Sequence, residues 1–394
     1  MAKIAILYEI LGRSKGGIEA WIYHASEELL RLGHDVTLIS KQEEIPQDAA
    51  PKGIEFLTLQ PHTKRPIIDL LFEIRSNIDQ LRMTLINFDI VWTRSFKLAY
   101  AASKILGKNK VVFINAAPYS LYGQKRFAKK ILEAKSFRQF LMALASEVHV
   151  KMAFFYEKKT VNYCKNVYLS KARMNETINF FRLKFHEENF YIVPAGVDSK
   201  LFKPSYKGFE NIDLFKVISV CRLEYDKNIQ CVISAVETLV KDGLNVNYTI
   251  IGTGSFEAQL KSLVFEKNLQ EHIIFAGRQE MVEQWYIKNH VFVLPSLYEG
   301  FGSVYVEAMA SGLPCIAISN KSGKYSVAAD EIIDHEINGY LLTENDPQEL
   351  SHYLKLLIND KDLLKSMSQS ASEKAKNEYT WNNTINKILS ITFL

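Results

Sequence analysis

The chain has 394 residues, more than a single hydrophobic core ordinarily supports, so two domains are the starting expectation. Apolar residues make up 47% and charged residues 23%, a globular balance that excludes a disordered chain. A formal net charge of +4 is too small at this length to point to nucleic acid, and no run approaches the ~18 uninterrupted apolar residues of a membrane span.

The first residues, MAKIAILYEILG, have an apolar centre that is short and broken by Glu9. They read as a first β-strand, KIAILY (Lys3–Tyr8), rather than a secretory signal. A glycine-bearing turn, GRSKGG, follows. Ile18, Trp21, Ile22, Ala25 and Leu29 then recur at helical spacing until Gly33. HDVTLIS (His34–Ser40) is the next strand, and the β-α-β unit so formed implies a parallel sheet with right-handed crossovers. FDIVWT, KVVFIN, NVYLS and NFYIVP predict further strands of this half. Residues 121–140, LYGQKRFAKKILEAKSFRQF, carry a local charge of +5, which suits a solvated helix face, peripheral contact with anionic lipid or a grip on an acidic acceptor.

PAGVDSKLFKP (Pro194–Pro204), rich in Pro and Gly, is the natural hinge. Beyond it the alternation restarts with FKVISVC, NYTIIG, HIIFAG, VFVLPS and PCIAIS, separated by stretches long enough for helices. The predicted architecture is α/β, with two Rossmann-like, doubly wound parallel-sheet domains facing a central cleft. Residues 1–195 form the first, with the tail 379–394 packing back on it, and 196–378 form the second. Cys164, Cys221, Cys231 and Cys315 make no C-x-x-C pair and read as reduced thiols of a cytoplasmic protein. Asp360-Lys-Asp362 is the sole D-x-D, and its position between two predicted helices assigns it to capping rather than to a metal.

Three elements suit phosphate and sugar. In SLYEGFGSVYVEAMASG (Ser296–Gly312), Gly300 and Gly302 permit a tight turn and close approach to a ligand. Ser303 reads as the N-cap of the next helix, whose free first-turn N–H groups and dipole suit a phosphate. Glu299 and Glu307, eight positions apart, offer charge-assisted acceptors for sugar hydroxyls. Arg222 and Lys227 in RLEYDKN supply a forked and a point cation for a diphosphate. Gly16 and Gly17 lie before the first helix, where backbone amides can approach a phosphate. Each element has a plainer reading: a solvated loop with two exposed glutamates, surface cations matched by Glu224 or Asp226, and a mere tight turn.

Together these elements resemble the retaining glycosyltransferases of family 4, which have the two-domain GT-B fold. The resemblance runs through GGIE, LGHDVTLIS, PAGVD with Phe202 and Pro204, RLEYDKN, IGTGS, FAG, PSLYEGFG, EAMASGLP, NGYLL and the tail YTWNNTINKIL. Glu299 and Glu307 match the E-x7-E motif of that family. The resemblance implies that Arg222 and Lys227 bind the nucleotide diphosphate and that Gly17, Gly302, Ser303 and Val304 cradle it. It also implies that Glu299 meets the donor sugar and Glu307 the ribose. Many relatives place a histidine where this chain has Asn115-Ala116-Ala117, so Asn115 or Tyr119 is the candidate polar contact on the acceptor side. The implied reaction moves a sugar from a nucleotide diphosphate, in the first place UDP, to a saccharide or lipid-linked acceptor of cell-surface polysaccharide or lipopolysaccharide. No metal or other cofactor is implied.

Other classes stay open at this level: a non-catalytic GT-B partner subunit of another transferase, a nucleotide-sugar epimerase, and a dinucleotide-dependent oxidoreductase. The last is disfavoured, because neither GRSKGG nor GTGSF gives a spaced G-x-G-x-x-G. Transfer by the purified chain separates the first. Substituting Glu299 or Lys227 is expected to abolish transfer with thermal unfolding nearly unchanged.

Overall fold

The computed structural model describes residues 1–8, 17–40, 51–58, 81–115, 136–184, 187–205, 212–321 and 323–393. The chain divides into two compact units, Met1–Pro194 with Thr384–Leu394, and Ala195–Asn383.

In the first unit the strands are Lys3–Tyr8 (β1), Asp35–Ser40 (β2), Glu55–Thr58 (β3), Ile90–Thr93 (β4), Val111–Asn115 (β5), Lys165–Tyr168 (β6) and Phe190–Ile192 (β7). They form one sheet in the order β3-β2-β1-β4-β5-β6-β7, parallel at every pairing. Ile4 to Leu7 in β1 are buried, as a strand covered on both faces requires. The helices are Gly17–Arg31 (α1), Phe96–Leu106 (α2), Phe137–Tyr163 (α3) and Lys171–Phe181 (α4). Trp21, Ile22, Ala25 and Leu29 of α1 are all buried, so the helical spacing seen in the sequence is the face turned to the core. Two serines just past strand ends start helices: Ser95 accepts from the amide of Leu98 at 3.4 Å, and Ser170 from that of Arg173 at 3.2 Å.

The second unit repeats the plan. Phe215–Val220 (β8), Val246–Ile251 (β9), Ile273–Gly277 (β10), Val291–Val293 (β11), Cys315–Ile318 (β12) and Gly339–Leu342 (β13) are ordered β10-β9-β8-β11-β12-β13, again all parallel. Its helices are Ile229–Lys241 (α5), Glu257–Glu266 (α6), Glu283–Tyr286 (α7), Ser303–Ala310 (α8), Pro347–Asn359 (α9) and Lys361–Glu378 (α10). Asp360 caps α10 by accepting from Leu363 N at 2.8 Å, the role its sequence position indicated. In both sheets the order reverses beside the first strand, between β1 and β4 and between β8 and β11. Such switch points open a crevice at the C-terminal strand ends, where ligands of open α/β sheets bind.

The last helix, Trp381–Phe393 (α11), carries the chain from the second unit back into the first. There Lys165 Nζ donates to the carbonyls of Ile391 at 2.9 Å and Thr392 at 3.3 Å, satisfying the helix's final acceptors. Trp92 Nε1 donates to Thr392 Oγ1 at 3.3 Å. The four cysteines are free thiols.

Candidate functional site

The site is built where β8 and β11 end. Past Val220 the backbone keeps bonding to the segment beyond β9, with Cys221 N to Ile251 O and Leu223 N to Thr253 O, both at 3.0 Å. This closeness is why Gly252 stands there: its φ is +128°, and a Cβ would sit 1.8 Å from Cys221 O. The IGTGS glycine therefore serves strand packing. A 3₁₀ turn, Tyr225–Lys227, follows, and Asn228 leaves it in the left-handed region at φ 56°. Asn228 is buried and clips neighbouring loops: Nδ2 donates to Pro295 O at 3.0 Å and Asn345 Oδ1 at 2.7 Å. Leu297 N also donates to Asp226 O at 2.8 Å. These bonds bring the loop after β11 against the turn after β8.

As a result Lys227 Nζ lies 2.9 Å from Glu299 Oε2, though the two are 72 positions apart in sequence. The ammonium, 9% exposed, also donates to Tyr298 O at 3.1 Å, while Asp226 Oδ2 stands at 3.6 Å, beyond hydrogen-bond range. An ammonium has three donors. Two are taken by these bonds. Arg222 is exposed in the same segment, and among the described residues its guanidinium makes no hydrogen bond or ion pair. The charges of Lys227, Glu299, Asp226 and Arg222 all act on the Cys221 thiol, which burial pushes up to about 12. Lys227, Glu299 and Asp226 thus meet at one place, where the charge of Arg222 is also felt.

Helix α8 begins at that place. Its N-cap is Gly302, at φ 83°, so the expectation of a Ser303 cap is corrected: Ser303 is the first helical residue. The reason is steric, since a Cβ at position 302 would meet the Tyr305 ring at 2.5 Å. No side chain caps the helix. Helix geometry leaves the first-turn amides at Ser303 and Val304 without intrahelical acceptors, aimed where an anion is favoured. Glu307, one turn on, accepts from the buried Tyr286 hydroxyl at 3.3 Å. Burial pushes the Glu307 carboxyl up to about 7, and the Tyr286 bond moderates the rise.

Residues 205–374 match the family described as "Glycosyl transferases group 1", and residues 15–201 match "Glycosyltransferase Family 4". The chain belongs to the group 1, family 4 glycosyltransferases. Among curated relatives of this family, a glycosyltransferase of Methanocaldococcus jannaschii is 24% identical over 59% of this chain and 60% of its own length. The amylovoran biosynthesis glycosyltransferase AmsK of Erwinia amylovora is 32% identical over 42% of this chain and 41% of its own. The matches thus span less than two thirds of those proteins, 60% of one and 41% of the other. Among solved structures, a Rickettsia africae ESF-5 glycosyltransferase superposes with a TM-score of 0.75 at 19% identity, covering 99% of this chain and 97% of that one. Anabaena Alr3699/HepE in complex with UDP gives 0.74 at 18% identity, with both chains fully covered. The fold is GT-B, with its two parallel-sheet α/β domains of seven and six strands.

The remaining sequence candidates all belong to the first unit. Gly17 is the first residue of α1, and Asn115 is the last of β5, 1% exposed with Nδ2 unbonded. Gly16, Tyr119 and nearly all of 121–140 lie outside the described residues, as do the side chains of 137–140. Among the described residues no group of three or more His, Cys, Asp or Glu stands together, and no helix is long and apolar enough to cross a membrane. Sequence reasoning missed Asn228, which binds the two loops, and Tyr286, which bonds Glu307. Asn228 directly after the lysine carried a signal, because Asn tolerates left-handed backbone. Tyr286 carried none.

Proposed function

We propose that the chain is a retaining glycosyltransferase that moves a sugar from a nucleotide diphosphate, UDP in the first place, to a saccharide or lipid-linked acceptor. The observation that carries the reading is the 2.9 Å Lys227–Glu299 pair at the switch point of the second sheet, beside the uncapped start of α8. Supporting the nucleotide, Alr3699/HepE has been solved with UDP-glucose. Supporting the pathway, AmsK acts in amylovoran biosynthesis, and WaaB is a lipopolysaccharide outer core galactosyltransferase whose fold this chain shares.

In this reading the third donor of Lys227, the Arg222 guanidinium and the amides of Ser303 and Val304 receive the diphosphate. Glu307 takes the ribose hydroxyls. Glu299, held in place by Lys227, accepts from hydroxyls of the transferred sugar. The anomeric C–O bond to the β-phosphate breaks, and the acceptor oxygen bonds to the anomeric carbon on the same face. The acceptor's proton passes to the departing phosphate oxygen, so no side-chain base is required where Asn115 replaces histidine. Cationic side chains and the helix start neutralise the leaving group, the role a divalent ion fills in other folds.

The test is a thermal-shift screen of nucleotides and nucleotide sugars, followed by NMR of the product anomer. A preferred UDP-sugar should raise the melting temperature by mass action. No stabilisation by any nucleotide, or a product of inverted configuration, refutes the proposal.

A further inference from the structure

The first domain has a switch point of its own, and what stands there was not visible as a motif. Arg94 is the first residue past β4. It neighbours Tyr8, the end of β1, and Glu19 in the first turn of α1; both act on its charge. Its guanidinium carbon lies 5.7 Å from the centroid of the Trp21 ring, on the second turn of the same helix. Trp21 in turn tilts against Trp92 with centroids 6.4 Å apart. The Nε of Arg94 and the Nε1 of Trp21 are both shut off from solvent, and among the described residues neither has a hydrogen-bond partner. Among the described residues the Arg94 guanidinium makes no ion pair, and Glu19 does not come within salt-bridge distance.

Arg94 is partly exposed, but its Nε is closed off without a partner, and a desolvated N–H donor is costly unless it is filled. Burial draws Arg94 down to about 10 from its ordinary value, with Tyr8 and Glu19 only partly restoring it. Stacking on Trp21 offsets part of the cost but uses the face of the cation and leaves its in-plane donors empty. Two unpartnered N–H donors, Arg94 Nε and Trp21 Nε1, beside the C-terminal end of a switch-point strand match a planar or tetrahedral oxyanion.

We propose that Arg94 and Trp21 form an oxyanion site in the first domain, receiving the carboxylate or phosphate of an acidic saccharide acceptor. The assignment to the acceptor rests on the function proposed above, since there the donor diphosphate is already served by Arg222, Lys227 and α8.

The experiment follows the Trp21 indole N–H by NMR in protein labelled at tryptophan. The chain has four tryptophans, and Trp21→Phe identifies the signal. D-Glucuronate, D-glucose 6-phosphate and neutral D-glucose are titrated in turn, and UDP binding is read separately by thermal shift. The Trp21 signal should move with an anionic sugar and not with glucose; the glucuronate and phosphate arms tell which oxyanion is preferred. Arg94→Met should weaken that response about tenfold or more while leaving UDP binding intact. It should also leave the melting temperature unchanged or higher, because an unpartnered, desolvated donor is removed. No movement with either anion, a neutral sugar binding as well, or loss of UDP binding in Arg94→Met overturns the proposal. So does a lower melting temperature with the anion response kept, which would mark Arg94 as purely structural. A wild-type protein that binds anions at Trp21 but no nucleotide leaves the oxyanion site standing and removes the donor reading instead.

Discussion

The Tyr286 hydroxyl donates to Glu307 Oε2 at 3.3 Å, joining a fully buried phenol to the second acid of the E-x7-E pair. That bond favours the carboxylate, while burial opposes it and prevails, leaving the carboxyl at about 7. Tyr286→Phe should therefore raise the Glu307 pKa further, read by NMR of the labelled carboxyl. An unchanged titration would show that the hydroxyl contributes nothing.

The same acid sets a slope of stability with pH. Its folded value of about 7 lies above the ordinary 4.5, so between these values the native chain keeps a proton that the unfolded chain has released. Stability then falls as pH rises across that window. Glu307→Gln should remove this slope in urea unfolding. If Glu307 receives ribose hydroxyls, UDP binding favours the ionised form, and calorimetry near pH 6 in buffers of different ionisation enthalpy should record proton release.

His290 works in the opposite sense. Its Nδ1 accepts from Lys216 N at 2.9 Å, and burial lowers it to about 4. Between about 4 and its ordinary 6.5 the unfolded chain binds the extra proton, so stability is lost as pH falls. A His290→Gln variant should flatten acid unfolding in that range, measured by circular dichroism against pH.

For the Lys227–Glu299 pair, loss of transfer is still expected from Lys227→Ala or Glu299→Gln, but the expectation of nearly unchanged unfolding is revised. With Lys227 9% and Glu299 20% exposed, removing one partner strands the other away from water. Lys227→Ala should cost about 1–3 kcal/mol in chemical denaturation. Turnover near the wild-type level in either variant would remove both residues from the site.

Gly302→Ala tests the start of α8. An alanine at φ 83° is strained, and its methyl meets the Tyr305 ring, which cannot retreat because it is buried with its hydroxyl on Leu294 O at 2.6 Å. Destabilisation of about 2 kcal/mol or more and a loss of UDP-induced thermal shift are expected. Full retention of both would show that the turn is not tightly fixed.

The strands that carry long apolar runs were legible, and β1 runs from Lys3 to Tyr8 as its sequence indicates. Strand β3 was not, because it is an edge strand of four residues with three exposed, and β13 was not, because four buried residues make no period. The acids and cations of the second domain were found by chemistry and spacing. The clip of Asn228 and the partnership of Tyr286 with Glu307 depend on loops meeting in space, which no local pattern encodes. Arg94 was invisible for a related reason: one cation after a strand is ordinary, and only its unpartnered Nε beside Trp21 sets it apart.

Helix α11 has a consequence for anyone wishing to produce the halves separately. Cleaving the chain at Pro194 would free a fragment whose Lys165 ammonium and Trp92 indole had both lost the groups they bond, Ile391, Thr392 and the Thr392 hydroxyl. Expression of the first domain alone therefore calls for the 384–394 peptide to be supplied in trans or spliced on, and its solubility with and without that peptide would measure what the terminal helix contributes.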